Sequence, residues 1–216
     1  MSSASPDSPD VPPRPGRPKS AARREAILAA AQACFTQDSY DRVSLDTVAE
    51  QAGVSKVTIY SHFPNKEALF VAALSAGCEE VFGRLQLEAD AAGPIDEVLF
   101  RLGCDFLTMI FAPEAERLHA VILNEAPHRP ELPKMFYETV VRRSTCLLAD
   151  YLEAQAEAGF VRIGDPYTAA VHFLSMIQGD FRYRVDLGFP TASRDEIEPY
   201  VRTCIDTLLA AWRGRA

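Results

Sequence analysis

The sequence predicts an all-α fold: an N-terminal three-helix helix-turn-helix domain, joined by one long helix to a larger helical body. Three observations carry this. Apolar residues recur at helical spacing along most of the chain beyond its first 19 residues. The gaps between these runs hold helix punctuation, with Ser, Asp or Asn before a run and Gly or Pro after it. No stretch reads convincingly as a strand, and no internal repeat occurs.

Composition narrows the function classes. The 216 residues are 48% hydrophobic and 24% charged, ordinary for a globular chain and enough for a small domain plus a larger one. No apolar run approaches the roughly 18 residues that span a bilayer. The Ser-, Pro- and Asp-rich start lacks the apolar centre of a secretory signal, so a cytoplasmic protein with no membrane partner is expected. The cysteines at 34, 78, 104, 146 and 204 form no CxxC or Cys/His cluster. Reduced core thiols are expected, not a metal site or a disulfide framework. No G-x-S-x-G, HExxH, P-loop or dinucleotide fingerprint occurs, so neither an enzyme nor a cofactor is expected.

The net charge of −8 is unevenly spread. Residues 1 to 66 hold eight Lys/Arg against seven Asp/Glu, which leaves −9 on the remaining 150. Arg14, Arg17, Lys19, Arg23 and Arg24 fall within eleven residues that contain no acid. Such a basic end faces phosphate while the acidic body stays away from it.

Residues 1 to 19 are read as a disordered tail and basic arm. Five prolines in the first fifteen residues prevent packing. Arg14, Arg17 and Lys19 then either enter a minor groove beside a recognition helix or remain solvated. Residues 20 to 66 form the helix-turn-helix domain. Ser20 opens a helix from Ala21 to about Thr36, with Ile27, Ala30, Ala31, Cys34 and Phe35 on its apolar face. Ser44 caps the second helix, and Gly53 supplies the left-handed residue of a tight corner. Ser55 caps a third helix, Lys56 to His62, with Val57 and Tyr60 on one face. Tyr40, Val43, Leu45, Val48, Val57 and Phe63 are expected to close the small core. Two short helices on a Gly-containing corner place the second in a DNA major groove, or make an ordinary helical corner. Lys56, Thr58, Tyr60, Ser61, His62 and Lys66 favour the groove, as six donors within eleven residues.

Residues 67 to 216 are read as an all-helical regulatory and dimerisation domain. The connecting helix runs from Lys66 to about Ala89, and Asn65 can cap it. Lys66 in its first turn opposes the helix dipole, which is reasonable if a phosphate sits there. Pro94 opens a helix to about Ile110, and Pro113 opens another to Ala126. A long helix is expected from Pro133 to Ala158, ended by Gly159. Asp165-Pro166 starts one that runs to about Val185, and Ser193 with Glu196 forms a capping box for the last.

The stretches GRP at 16–18, REAIL at 24–28, AAQACF at 30–35, the helix from Ser44 to Gly53 and VSKVTIYSHFPNKEALF at 54–70 closely resemble the DNA-binding domain of the TetR family of bacterial transcriptional regulators. Residues 117 to 188, with NEAPHRPELPKMFYE and DYLEAQAEAGFVRIGDPYTAA, resemble that family's AefR-like C-terminal domains. The resemblance implies a homodimer on a double-stranded DNA operator, paired through the last two long helices. Phe173, Ile177, Ile205, Leu209 and Trp212 are then the interface candidates, with Met176 and Phe181 beside them. It also implies a small-molecule pocket in the body for an apolar or amphipathic effector. Leu102, Phe106, Leu118, Phe136, Tyr137, Met176 and Phe181 supply an apolar lining, or plain core. His119, His172, Asn124 and Gln178 are the polar candidates. On the DNA side, Ser55, Lys56 and Thr58 would face bases or near phosphates, and Tyr60, His62 and Lys66 would hold phosphates. Ser44 and Thr47 would touch the backbone. The reading is a ligand-responsive repressor. Alternatives are an activator or ligand-independent regulator of the same fold, and a helical interaction module that does not bind DNA.

Overall fold

The computed structural model describes residues 19–38, 40–88 and 93–213, and every regular element among them is helical. The expected tail, with Arg14 and Arg17, lies outside the described residues; Lys19 opens the first helix, but its side chain lies outside them too. The N-terminal unit comprises α1 (Lys19–Gln37), α2 (Leu45–Ala52) and α3 (Lys56–His62). The connecting helix α4 (Lys66–Glu88) continues from this unit into the body. The body follows as α5 (Ile95–Ile110), α6 (Pro113–Glu125) and α7 (Glu131–Phe136). A π-helical segment, Tyr137–Arg142, leads into α8 (Arg143–Glu157), and α9 (Pro166–Gln178), α10 (Phe181–Asp186) and α11 (Arg194–Trp212) complete the chain.

Helix starts follow the caps written in the sequence. Ser44 Oγ accepts from Thr47 N at 3.0 Å, Ser55 Oγ from Thr58 N at 3.1 Å, Asn65 Oδ1 from Ala68 N at 2.7 Å and Asp165 Oδ2 from Thr168 N at 2.8 Å. Ser193 and Glu196 form the reciprocal capping box. An aromatic cluster binds α1 to α4: Phe35 and Tyr40 both meet Phe70 edge-on, at 4.8 and 5.3 Å between ring centroids. In the body, α4 packs on α1, α5, α7, the π-helical segment and α8, so it touches both halves of the molecule.

Three expectations are corrected. Val57 is 78% exposed, and Ile59 fills the core of the N-terminal unit instead. On a seven-residue helix the apolar phase is ambiguous, and here Ile59 alone of α3 is fully enclosed. The helix expected from Pro133 to Ala158 starts at Glu131 and widens to π geometry at Tyr137–Arg142, a change no proline or glycine announces.

The helix expected from Asp165 to Val185 is broken at Gly179. This glycine has φ 46°, a region that side chains with a Cβ avoid. Its bare Cα also makes room for Tyr200, since a Cβ there would stand 2.1 Å from the Tyr200 hydroxyl. That hydroxyl donates to the Met176 carbonyl at 2.9 Å, one of the free acceptors at the α9 C-terminus.

The interface candidates Phe173, Ile177, Ile205, Leu209 and Trp212 are all buried within the single chain. They form the core between α9, α11 and α5, where Gly103 lets α11 approach closely, so the chain itself already covers them. The apolar phase of these helices marks the intramolecular face.

Candidate DNA-binding helix and ligand cavity

At the end of α2, Gly53 adopts φ 64° and its N–H bonds to the Glu50 carbonyl at 3.1 Å, while Val54 N reaches the Ala49 carbonyl at 3.0 Å. This closure turns the chain tightly enough for α3 to cross α2. Lys56 Nζ bonds Asp46 Oδ2 at 2.9 Å and fixes the first turn of α3 against α2. The two capping serines are doubly engaged. Ser44 Oγ lies 2.9 Å from Thr47 Oγ1, and Ser55 Oγ lies 2.9 Å from Thr58 Oγ1.

The outer surface of α3 consists of Lys56, Val57, Tyr60 and Ser61, all exposed, with Thr58 and His62 partly so. Ser55, Lys56, Thr58 and Tyr60 therefore come together on one short helix, with Ser44 and Thr47 at the start of α2. Val57 belongs to this surface although the sequence reading placed it inside. An outward apolar group suits a thymine methyl.

Lys66 is placed differently from the expectation. Its ammonium donates to the Tyr40 carbonyl and lies 4.3 Å from the Tyr40 ring centre. Burial lowers its pKa, with Asp41 opposing and Arg129 adding to the shift. These contacts place it at the joint between the N-terminal unit and the body. Arg129, in the turn between α6 and α7, meets it there. The guanidinium bonds Asp41 at 3.1 Å and Glu125 at 3.1 Å, pairs with Glu67 at 3.5 Å and lies 5.4 Å from the Tyr40 ring centre. Sequence reading passed over Arg129 as part of a turn.

The body holds a cavity of about 370 Å³ between α4, α5, α6, α7, the π-helical segment, α8, α9 and α10. Of the sequence candidates, Phe106, His119, Phe136, Tyr137 and Gln178 line it. Leu102 is buried elsewhere in the core, and Leu118 faces a neighbouring space. His172 and Asn124 are exposed away from it. Met176 and Phe181 pack with Tyr200, through its hydroxyl and its ring respectively. Missed by the sequence reading were Tyr167, Thr145 and Arg182, which line the cavity from helix positions that pattern alone reads as surface.

The cavity has little net charge. Arg182 is bidentate on Glu116 at 2.7 and 2.8 Å and pairs with Asp186 at 2.7 Å. Burial, and next the charge of Arg182, lower the pKa of His119, so its ring is neutral at neutral pH. Burial pushes the Cys78 thiol up to about 11, which makes it an unreactive wall. The π-helical segment contributes Tyr137, Val140 and Val141 to the lining. Among the described residues no cluster could hold a metal ion, and no helix is long and apolar enough to cross a membrane.

Residues 27–73 match the model for bacterial regulatory proteins of the tetR family, and residues 97–214 that for the AefR-like transcriptional repressor C-terminal domain. The chain is 27% identical over 175 residues to the uncharacterised HTH-type transcriptional regulator YvkB of Bacillus subtilis, covering 75% of this chain and 82% of that one. A solved structure from Mesorhizobium loti, assigned to the TetR family of transcriptional regulators, superposes with a TM-score of 0.75 at 26% identity, covering 91% and 99% of the two chains. The Flavonoid-responsive Regulator FrrA superposes at 0.66 with 29% identity, covering 90% and 98%.

Proposed function

Given that the chain belongs to the TetR family of bacterial transcriptional regulators, with an AefR-like C-terminal domain, we propose that it is a dimeric repressor released from a palindromic operator by a small, uncharged aromatic ligand. Its relatives are transcriptional regulators, not enzymes. The observation that carries the reading is α3, which encloses only Ile59 and leaves Lys56, Val57, Tyr60 and Ser61 outward. Thr58 and Val57 read base edges, with Ser55 and Lys56 at the groove rim. Tyr60 and His62 hold phosphates, and Ser44 and Thr47 touch the opposite backbone. Lys66 acts instead on the joint. Arg14, Arg17 and Lys19 extend the contact toward the minor groove.

One such helix reads too few base pairs to be selective, so two copies must act together. With the inner faces of α9 and α11 already used, the partner meets α10 and the segment that follows it, between those two helices in the chain. Tyr183 is 73% exposed, Leu187 74% and Phe189 58%, a cluster of large apolar groups within seven residues. The ligand enters the body cavity. Its lack of charge follows from the neutralised Arg182 and neutral His119, and its aromatic character from Phe106, Phe136 and Tyr167. The flavonoid named for FrrA has the same chemistry. Ligand binding favours a tilt of α4, which carries the change to both recognition helices.

Selection of bound duplexes from a random-sequence library tests this. Enrichment of an inverted repeat, with half-sites one helical turn or a multiple apart, is expected. Recovery of unrelated sequences, or of none, would refute operator binding.

A further inference from the structure

A second cavity, about 440 Å³, lies at the joint between the N-terminal unit and the body. One wall is α1, through Gln32, Ala33 and Thr36, and the others come from α4, α5 and α6. Leu74, Met109 and Ala115 line this space and the body cavity alike, so the two abut across these three side chains. Leu74 and Met109 are only partly buried, and an unbranched Met adapts readily to a neighbour.

We propose that a single elongated, uncharged amphipathic ligand occupies both spaces. Its aromatic or hydroxylated head sits beside His119 and Gln178, and its alkyl tail passes Leu74 and Met109 into the joint. This deepens the ligand-responsive reading of the body cavity and rests on it. Three features point to it. The joint cavity is lined by no charged side chain, and its walls are mainly alanine with Leu74, Met109 and Leu118. The space opens to solvent beside the exposed Ala29, and an alkyl chain lying along its alanines would bury apolar surface there. The body cavity also offers polar groups, His119, Gln178 and Arg182, that do not line the joint cavity.

The tail has a mechanical consequence. α1 belongs to the DNA-binding unit, and Gln32 ties it to α4 by donating to the Ala73 carbonyl at 2.8 Å. A chain lying between α1 and α6 competes with this packing directly. The length of the ligand, and not merely its presence, then determines how far the DNA-binding unit is displaced.

A series of 4-n-alkylphenols from ethyl to dodecyl, titrated calorimetrically into the full-length protein, tests this. Affinity is expected to rise by up to about fourfold per added methylene once the tail enters the joint. Ala33→Leu and, independently, Ala29→Leu should abolish that gain while ethylphenol binds as to the wild type. Thermal melts of both variants check that they are folded. The same length gain in both folded variants, or no length dependence in the wild type while ethylphenol binds, would overturn the joint site alone. No binding by any member would overturn it together with the body-cavity reading it rests on.

Discussion

Two residues carry consequences beyond their own contacts. Gly179→Ala forces a Cβ into a positive-φ backbone and against the Tyr200 hydroxyl. A loss of about 1–3 kcal/mol in unfolding free energy is expected by denaturant titration. A change near zero would mean that the break between α9 and α10 is not set there. His119 titrates below its ordinary 6.5 because burial disfavours the charged ring. The unfolded chain therefore binds more protons than the folded one just below that value. Stability should be intact above about pH 6.5 and fall as pH drops through the window beneath it. His119→Gln should flatten this part of the pH profile of Tm, and an unchanged slope would remove His119 as its source.

At the scale of elements, the joint around Tyr40 links the turn before α7 to the DNA-binding unit. Arg129 spans Asp41, Glu67 and Glu125, while Lys66 meets the Tyr40 carbonyl from α4. Arg129→Ala should leave operator binding near wild type in the absence of ligand. It should reduce the ligand's effect on operator affinity from the usual 5–150-fold toward none, read by fluorescence anisotropy. Full ligand response in the variant would move the coupling elsewhere. Helix starts were legible in the sequence because caps are local: Ser44, Ser55, Asp165 and Ser193 each engage a backbone group within three residues. The outward surface of α3 was legible for its polar residues only. The phase of Val57 against Ile59 depends on what packs behind the helix, which a seven-residue pattern does not encode. The π-helical turn and the fate of Lys66 were illegible for the same reason, since both are set by groups distant in sequence.

For the whole molecule, apolar periodicity marked the core faces of α9 and α11 correctly but could not say whether a partner or the same chain covers them. Here the chain covers them itself, so the proposed dimer rests on Tyr183, Leu187 and Phe189. Tyr183→Glu with Leu187→Glu should yield a folded monomer in sedimentation velocity, with operator affinity reduced by at least about tenfold, since each lost half-site contact of 1.4 kcal/mol has that effect. A variant that stays dimeric would place the interface on another face. The most direct measurement is the stoichiometry and salt dependence of the complex with the selected inverted repeat, by sedimentation and anisotropy across a salt series. Chains bound in pairs per repeat, with log affinity falling steeply and linearly against log salt, are expected of two recognition helices that neutralise several phosphates. A single chain per repeat, or binding indifferent to salt, would contradict a two-fold operator complex held by α3.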